Sequence, residues 1–284
     1  MALAPVPTRP GPLGPVEPDE DPDLGGKMSF LEHLDELRTR LIRSLAALIV
    51  GFLIALAFIP EWDLGRVRIP GIEWDLGHVR IPGIFRFIME PLTAVLKDGD
   101  SLIYTVPTET LFLQLKMAAL VGLILALPVV MWQVWRFVAP GLYSHERRMA
   151  VPFVVLTTTC FVGGALFSHY IAFPVVWEFF AGYTTDFLTF LPNVAAAFSL
   201  YVRLMLGLGV VFEMPAVVFF LARIGLVTPR FLTRNFKYAV LIILVIAALV
   251  TPPDPVSQMI VALPMIGLYG LSILIAWVFR RRDG

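Results

Sequence analysis

Charged and polar residues along this chain come in short clusters, and the apolar runs between them are longer than the core helices of a small soluble domain need. The first run is entered through Phe30-Leu-Glu-His-Leu-Asp-Glu-Leu-Arg-Thr-Arg-Leu41, where Leu31, Leu34, Leu37 and Leu41 recur at the i, i+3, i+4 spacing of an amphipathic helix. Ser29 with Glu32 reads as a capping box at its start. This helix should lie along a membrane surface and run into a first span over about 41–59, which Pro60 ends. A second span is predicted over 108–138, roughly 45 Å at 1.5 Å per residue. That exceeds a hydrocarbon core of ~30 Å, so the helix must tilt or project into water. Lys116 can snorkel outward near its start, and Pro128 should kink it. The third and fourth spans fall at 149–173 and 198–222, and the fifth, 238–250, is only ~20 Å long. After Thr251-Pro-Pro-Asp-Pro255 turns the chain, a sixth span over 256–279 contains Pro264 and is expected to be broken and short. Two helices should lie outside the spans: one over 84–96 interrupted at Pro91, and an interfacial or re-entrant one around 175–180. The predicted fold class is all-α: a polytopic membrane protein of six transmembrane helices.

Composition agrees, with 58% hydrophobic and 15% charged residues and a mean hydropathy of +0.80. Net charge is zero, so its placement is what informs. Six spans put both termini on one side, and Arg38, Arg40, Arg43, Arg147, Arg148, Arg223, Arg230, Arg234, Lys237 and Arg280 to Arg282 all fall there. The other side carries Glu61, Asp63, Glu73, Asp75, Asp98, Asp100, Asp186 and Asp254. The positive-inside rule then makes both termini cytoplasmic.

Three domains follow from this. Residues 1–27, rich in Pro and Gly with an acidic patch, form a disordered tail without the marks of a cleavable signal peptide. Residues 28–280 form the membrane domain, and 281–284 a basic end. Within the membrane domain, Glu61-Trp-Asp-Leu-Gly-Arg-Val-Arg-Ile-Pro-Gly-Ile72 is repeated over 73–84 with one change, Arg66 to His78, and reads as a tandem duplication in an exterior loop.

Candidate chemistry is sparse. Cys160 is the only cysteine, which excludes an internal disulfide, and His145 and His169 lack ligand spacing, so no metal or cofactor site is expected. No phosphate-binding loop, zinc-protease motif or nucleophile elbow occurs, so no catalytic residue is assigned. Gly163-Gly164 and Gly207-x-Gly209 suit close helix packing. In Phe137-Val-Ala-Pro-Gly-Leu-Tyr-Ser-His-Glu-Arg-Arg148, Pro140-Gly141 breaks the helix and Glu146 stands beside two arginines. The loop is either a solvated anchor or a place where Glu146 accepts a cationic partner. Glu36 and Arg40 have the spacing of an i,i+4 ion pair. Glu213, inside the fourth span beside Pro215, costs roughly 2.5–3.5 kcal/mol on insertion scales and so has either a function or a hydrogen-bonded helix partner. Gln258, one turn after Asp254, can bond another helix of the chain or a partner.

Taken together and in order, these motifs resemble the TatC family, the multi-spanning receptor subunit of the twin-arginine protein translocase. The likeness runs over about 28–280. It is carried by Phe30-Leu-x-His-Leu-x-Glu-Leu-Arg-x-Arg-Leu41, Phe137-x-x-Pro-Gly-Leu-Tyr-x-x-Glu-Arg-Arg148, Phe212-Glu-x-Pro215, Gly225-Leu-Val-Thr-Pro229 and Thr251-Pro-Pro-Asp-x-x-Ser-Gln258. Pro107-Thr-Glu-x-x-Phe112 with Lys116 also fits. The resemblance implies a core receptor in the bacterial inner membrane that binds twin-arginine signal peptides of folded precursors at the cytoplasmic face. It further implies assembly with TatA/TatB-type single-span proteins into an oligomeric complex surrounded by membrane lipid, with export driven by the proton-motive force and no nucleic-acid partner. By position, Glu36 and Glu146 look like the signal-contacting carboxylates, with Leu34, Arg38, Phe137, Pro140 and Tyr143 around them. Glu213 and Pro215 match the family's intramembrane site, and Thr251, Asp254 and Gln258 fall where the family contacts a partner helix. The chain departs from the pattern at Gly270, where the family commonly has an acidic residue, and in the duplication. A secondary transporter using Glu213 as a proton relay is the alternative, but no matching halves support it.

Overall fold

The computed structural model describes residues 30–58, 84–96, 102–138, 150–185, 187 and 190–279. The acidic tail, Ser29, the duplicated unit up to residue 83, the loop 139–149 and the basic end lie outside the described residues.

Among the described residues the helical signals translate into ten α-helices and one π turn. Helix α1 (Phe30–Phe58) joins the amphipathic stretch and the first span in one 29-residue rod, with Glu32 in its first turn where the helix dipole favours a carboxylate. Helix α2 (Ile84–Thr93) passes through Pro91 before ending, and α3 (Thr108–Val138) keeps the 31-residue length that its pattern predicts. Helices α4 (Ala150–Phe167) and α5 (Phe173–Ala181) are joined by a π turn, Ser168–Ala172. The helix expected around 175–180 is thus α5, joined to α4 through the π turn without an intervening loop. At the junction the Phe173 amide bonds the Ser168 carbonyl five residues back, which relaxes the ladder where Pro174 would otherwise break it.

Helix α6 (Val194–Phe212) begins earlier than expected because Asn193 caps it, Oδ1 accepting from the Ala195 and Ala196 amides at 2.9 and 3.2 Å. It stops at Glu213, and α7 (Met214–Arg223) resumes with Pro215 in its first turn. Gly225, at φ +82°, turns the chain in a conformation other residues adopt at a cost, and Thr228 caps the short α8 (Pro229–Arg234). Helix α9 (Phe236–Val250) has 15 residues, ~22 Å of rise. Helix α10 (Pro255–Val278) runs unbroken through Pro264 for 24 residues, ~36 Å, so the sixth span is neither broken nor short. A proline inside a membrane helix is tolerated when neighbouring helices re-satisfy the freed backbone. By length and composition, five helical stretches among the described residues can cross a membrane, Glu32–Phe58, Thr108–Val138, Ala150–Ala181, Val194–Arg223 and Pro255–Val278, with Phe236–Val250 a shorter apolar sixth.

Glycines set how closely these helices approach. Helix α1 lies antiparallel on α3 with Gly51 against Gly122; a Cβ on Gly122 would stand 2.5 Å from the Phe52 amide nitrogen and 2.6 Å from its Cα. Helix α4 meets α6 in the same way, since a Cβ on Gly164 would stand 2.7 Å from the Leu208 carbonyl oxygen and 2.9 Å from Gly209 Cα. Gly207 admits Val250 of α9. Gly163, next door, faces open space.

The end of the bundle that carries α2 is tied by polar pairs. Asn193 Nδ2 donates to Glu109, which also accepts from the Thr105 amide and hydroxyl. Trp177 Nε1 donates to the Leu92 carbonyl at 3.1 Å. His169 is buried, stacked on Phe87 and hydrogen-bonded through Nδ1 to the Tyr201 hydroxyl at 2.8 Å, so it serves packing.

Two outcomes are expected. Gly164→Ala should lower the thermal unfolding midpoint in detergent, overpacking costing about 1–3 kcal/mol, whereas Gly163→Ala should leave it unchanged or raise it through helix propensity. Equal effects at the two sites would contradict the packing described. Spin labels at Tyr238 and Val250 should report depths no more than ~18 Å apart, the rise of α9 between them; a separation of ~30 Å would show that the span is extended in the bilayer.

Candidate functional site

Three of the polar groups among the described residues include expected site residues, and they differ in how completely the chain satisfies them. The first lies where the N-terminal part of α1 meets the C-terminal part of α3. The antiparallel register set at Gly51–Gly122 brings Arg40, eleven residues back along α1, to Gln133, eleven residues on along α3. Arg40 donates to Glu36 Oε1 at 2.9 Å and, at a long 3.4 Å, to Gln133 Oε1. The Glu36 and Arg40 side chains are 14% and 18% exposed, and Gln133 is buried, so the pair is partly withdrawn from water. Glu36 Oε2 and Arg40 Nε have no hydrogen-bond partner among the described residues. His33 stacks on Phe137 with centroids 4.4 Å apart, pinning the last turn of α3 to α1 just before the loop that carries Glu146.

Of the expected site residues, Glu36 and Phe137 are therefore brought together, while Leu34 and Arg38 stand exposed on α1. Pro140, Tyr143 and Glu146 lie outside the described residues. Gln133 and the stacking role of His33 escaped the sequence reading. The available signal was a single amide between Trp132 and Trp135 in an otherwise apolar run.

The second group is Glu213, at the turn between α6 and α7. Its amide bonds the Val210 carbonyl and its carbonyl accepts from Val217, so its backbone is satisfied. Both carboxylate oxygens are buried without a hydrogen-bond partner among the described residues. Pro215 supplies no amide to the preceding turn, which is why the helix yields here.

The third group closes the α9–α10 turn, and here every side chain is used. Thr251 donates to the Ala247 carbonyl at 2.8 Å. Asp254 caps α10, accepting from the Ser257 amide at 2.7 Å through Oδ1 and from the Ser257 hydroxyl through Oδ2. Gln258 Nε2 donates to the Leu244 carbonyl at 2.9 Å, an interhelical bond within the chain. Gly270 of α10 borders a cavity of about 1260 Å³ shared with Thr228, Arg230 and Trp277. No group of ligating side chains that could hold a metal is found among the described residues.

Comparison with known proteins gives these sites a context. A family model described as Sec-independent protein translocase protein (TatC) matches residues 32–264. Proteins named Sec-independent protein translocase protein TatC are similar along most of the chain. That of Desulforapulum autotrophicum is 39% identical over 90% of this chain and 87% of its own length, that of Koribacter versatilis 40% over 90% and 88%, and that of Helicobacter pylori J99 38% over 86% and 87%. Two crystal structures of the twin-arginine translocase receptor TatC, one of them in DDM, superpose with TM-scores of 0.70 and 0.71 at 33% and 34% identity, covering 87% and 86% of this chain and 99% of each of theirs. The match extends over the cluster at Glu36, the turn at Glu213 and the α9–α10 turn alike, and the chain belongs to the TatC family of protein translocase components.

Proposed function

We propose that this protein, a core component of the twin-arginine translocase, is the receptor that takes the paired arginines of a signal peptide at its cytoplasmic face, with Glu36 and Glu146 as acceptors. The observation that carries the reading is that Glu36 gives one carboxylate oxygen to Arg40 and keeps the other unspent, beside the end of α3 from which the Glu146 loop departs. A carboxylate accepts the planar fork of a guanidinium bidentately, and two carboxylates suit two adjacent arginines. Arg40 then has a defined part. It holds Glu36 in place and neutralises half of it, so an incoming arginine competes with an internal one.

Arg38, Arg40 and Arg43 on α1 lie at the same end as Arg136, Arg223 and Lys237, which supports cytoplasmic termini in a multi-pass inner-membrane protein. Partner helices of TatA/TatB-type single-span proteins would dock on the bare face of α9, where Leu241, Ile242, Val245 and Leu249 are exposed. Glu213 and the α9–α10 turn would be presented to that assembly.

Crosslinking of a paired-arginine signal peptide to the purified protein tests the receptor reading. Glu36→Gln and Glu146→Gln should each weaken it roughly tenfold, from about 1.5 kcal/mol per charged hydrogen bond, and the double variant should abolish it. Normal crosslinking in the double variant would sink the proposal. Glu213→Gln should spare crosslinking while lowering export of a folded precursor; parallel loss of both would assign Glu213 to the signal site instead.

A further inference from the structure

Two cations stand where nothing in the receptor reading uses them. Lys116 of α3 and Arg203 of α6 line one groove of about 660 Å³, whose other walls are apolar but for Ser199, among them Ile49 and Phe52 of α1, Leu120 of α3 and Leu206 of α6. Both side chains are exposed, and neither makes a hydrogen bond or ion pair with any described residue. The acid two turns above Lys116, Glu109, is already committed to Thr105 and Asn193.

Their depth is set by the sequence. Nineteen apolar-rich residues, 117–135, separate Lys116 from Arg136, and nineteen, 204–222, separate Arg203 from Arg223. Each interval rises ~28 Å, close to the ~30 Å hydrocarbon core. Arg136 and Arg223 therefore mark one membrane interface, and Lys116 and Arg203 mark the other, on the same groove. Helix α1 packs on α3 and leaves the groove side open, with Ile49 exposed. The groove thus joins a pair of positive charges at headgroup level to an apolar trough running into the leaflet.

We propose that Lys116 and Arg203 hold the phosphate of one anionic phospholipid, with an acyl chain laid in the groove between α1, α3 and α6. Lipid acts there as the missing wall between α1 and α6. The paired cations select this occupant over a partner helix, whose apolar face would leave both charges without a partner. Charge complementarity selects an anionic over a zwitterionic headgroup, because two cations line the groove and no acidic side chain does. The inference rests on α3 and α6–α7 crossing a bilayer and is independent of the signal-receptor reading.

The test is native mass spectrometry of the full-length protein in detergent, titrated with phosphatidylglycerol or phosphatidylcholine. The wild type should retain one phosphatidylglycerol in preference to phosphatidylcholine. Lys116→Gln/Arg203→Gln should weaken that retention roughly thirtyfold, two charges at about 1 kcal/mol each, and Lys116→Arg/Arg203→Lys should keep it. Unchanged retention in the glutamine variant, or no preference between the lipids, would overturn the proposal. So would equal displacement by inorganic phosphate, which would make the site one for a free anion. A photo-crosslinker at Leu123 should capture lipid from membranes; capture of a single-span protein instead would assign the groove to a helix. Signal-peptide crosslinking measured on the same glutamine variant should be unchanged, so failure of the lipid site and failure of the receptor reading are told apart.

Discussion

Apolar side chains gain little by leaving lipid for one another, so helices in a bilayer are held by close backbone approach and by a few polar pairs. The contact of Gly51 with Gly122 is the point on which the candidate receptor surface depends. It leaves no room for a methyl group, and it fixes the antiparallel register of α1 on α3. Ala55 and Ala118 are both fully buried and continue that register in one direction. In the other direction, three turns along, the same register delivers Arg40 to Gln133, and further still His33 to Phe137. The ion pair between Glu36 and Arg40 would form on an isolated helix for a few tenths of a kcal/mol. Its place beside α3, partly dried and aimed, is a product of the glycine crossing.

The helices themselves were legible because long apolar runs and their breakers are local signals. The full length of α3, the short α9, the turn at Asp254 and the packing role of Gly164, Gly207 and Gly209 all follow from patterns within a few residues. What was not legible depends on partners far along the chain. The pairs Arg40 with Gln133, Glu109 with Asn193 and Trp177 with Leu92 join residues 93, 84 and 85 positions apart. No periodicity announces them.

Prolines mark the other limit. Pro264 reads as a break, yet Pro264, Pro174 and Pro215 all lie inside continuous helical stretches, with the α-helical ladder interrupted at Glu213 only before Pro215 and relaxed by a π turn before Pro174. A proline removes one amide and crowds the carbonyl four residues back, and either consequence can be absorbed by the surroundings. At Pro174 the π turn absorbs it, by letting Phe173 reach Ser168. At Pro215 the helix instead stops at Glu213, where the amide takes the tighter bond to Val210. The same local sequence signal therefore has two structural outcomes, decided by what the neighbouring helices support.

The three sites differ in how far the chain satisfies their polar groups. Thr251, Asp254 and Gln258 spend their side chains on the chain's own backbone and hydroxyls, and their arrangement needs no partner to persist. Glu36 is half spent. Glu213 is not spent at all, and it lies ten residues from Arg203 and ten from Arg223, ~15 Å from each and so near the middle of the apolar interval. A carboxyl group at that depth carries a cost of roughly 2.5–3.5 kcal/mol on insertion scales, and no described side chain offsets it. Packing alone would be better served there by an apolar residue. The gradient from satisfied turn to unspent carboxylate thus orders the three sites by how completely the chain itself satisfies them.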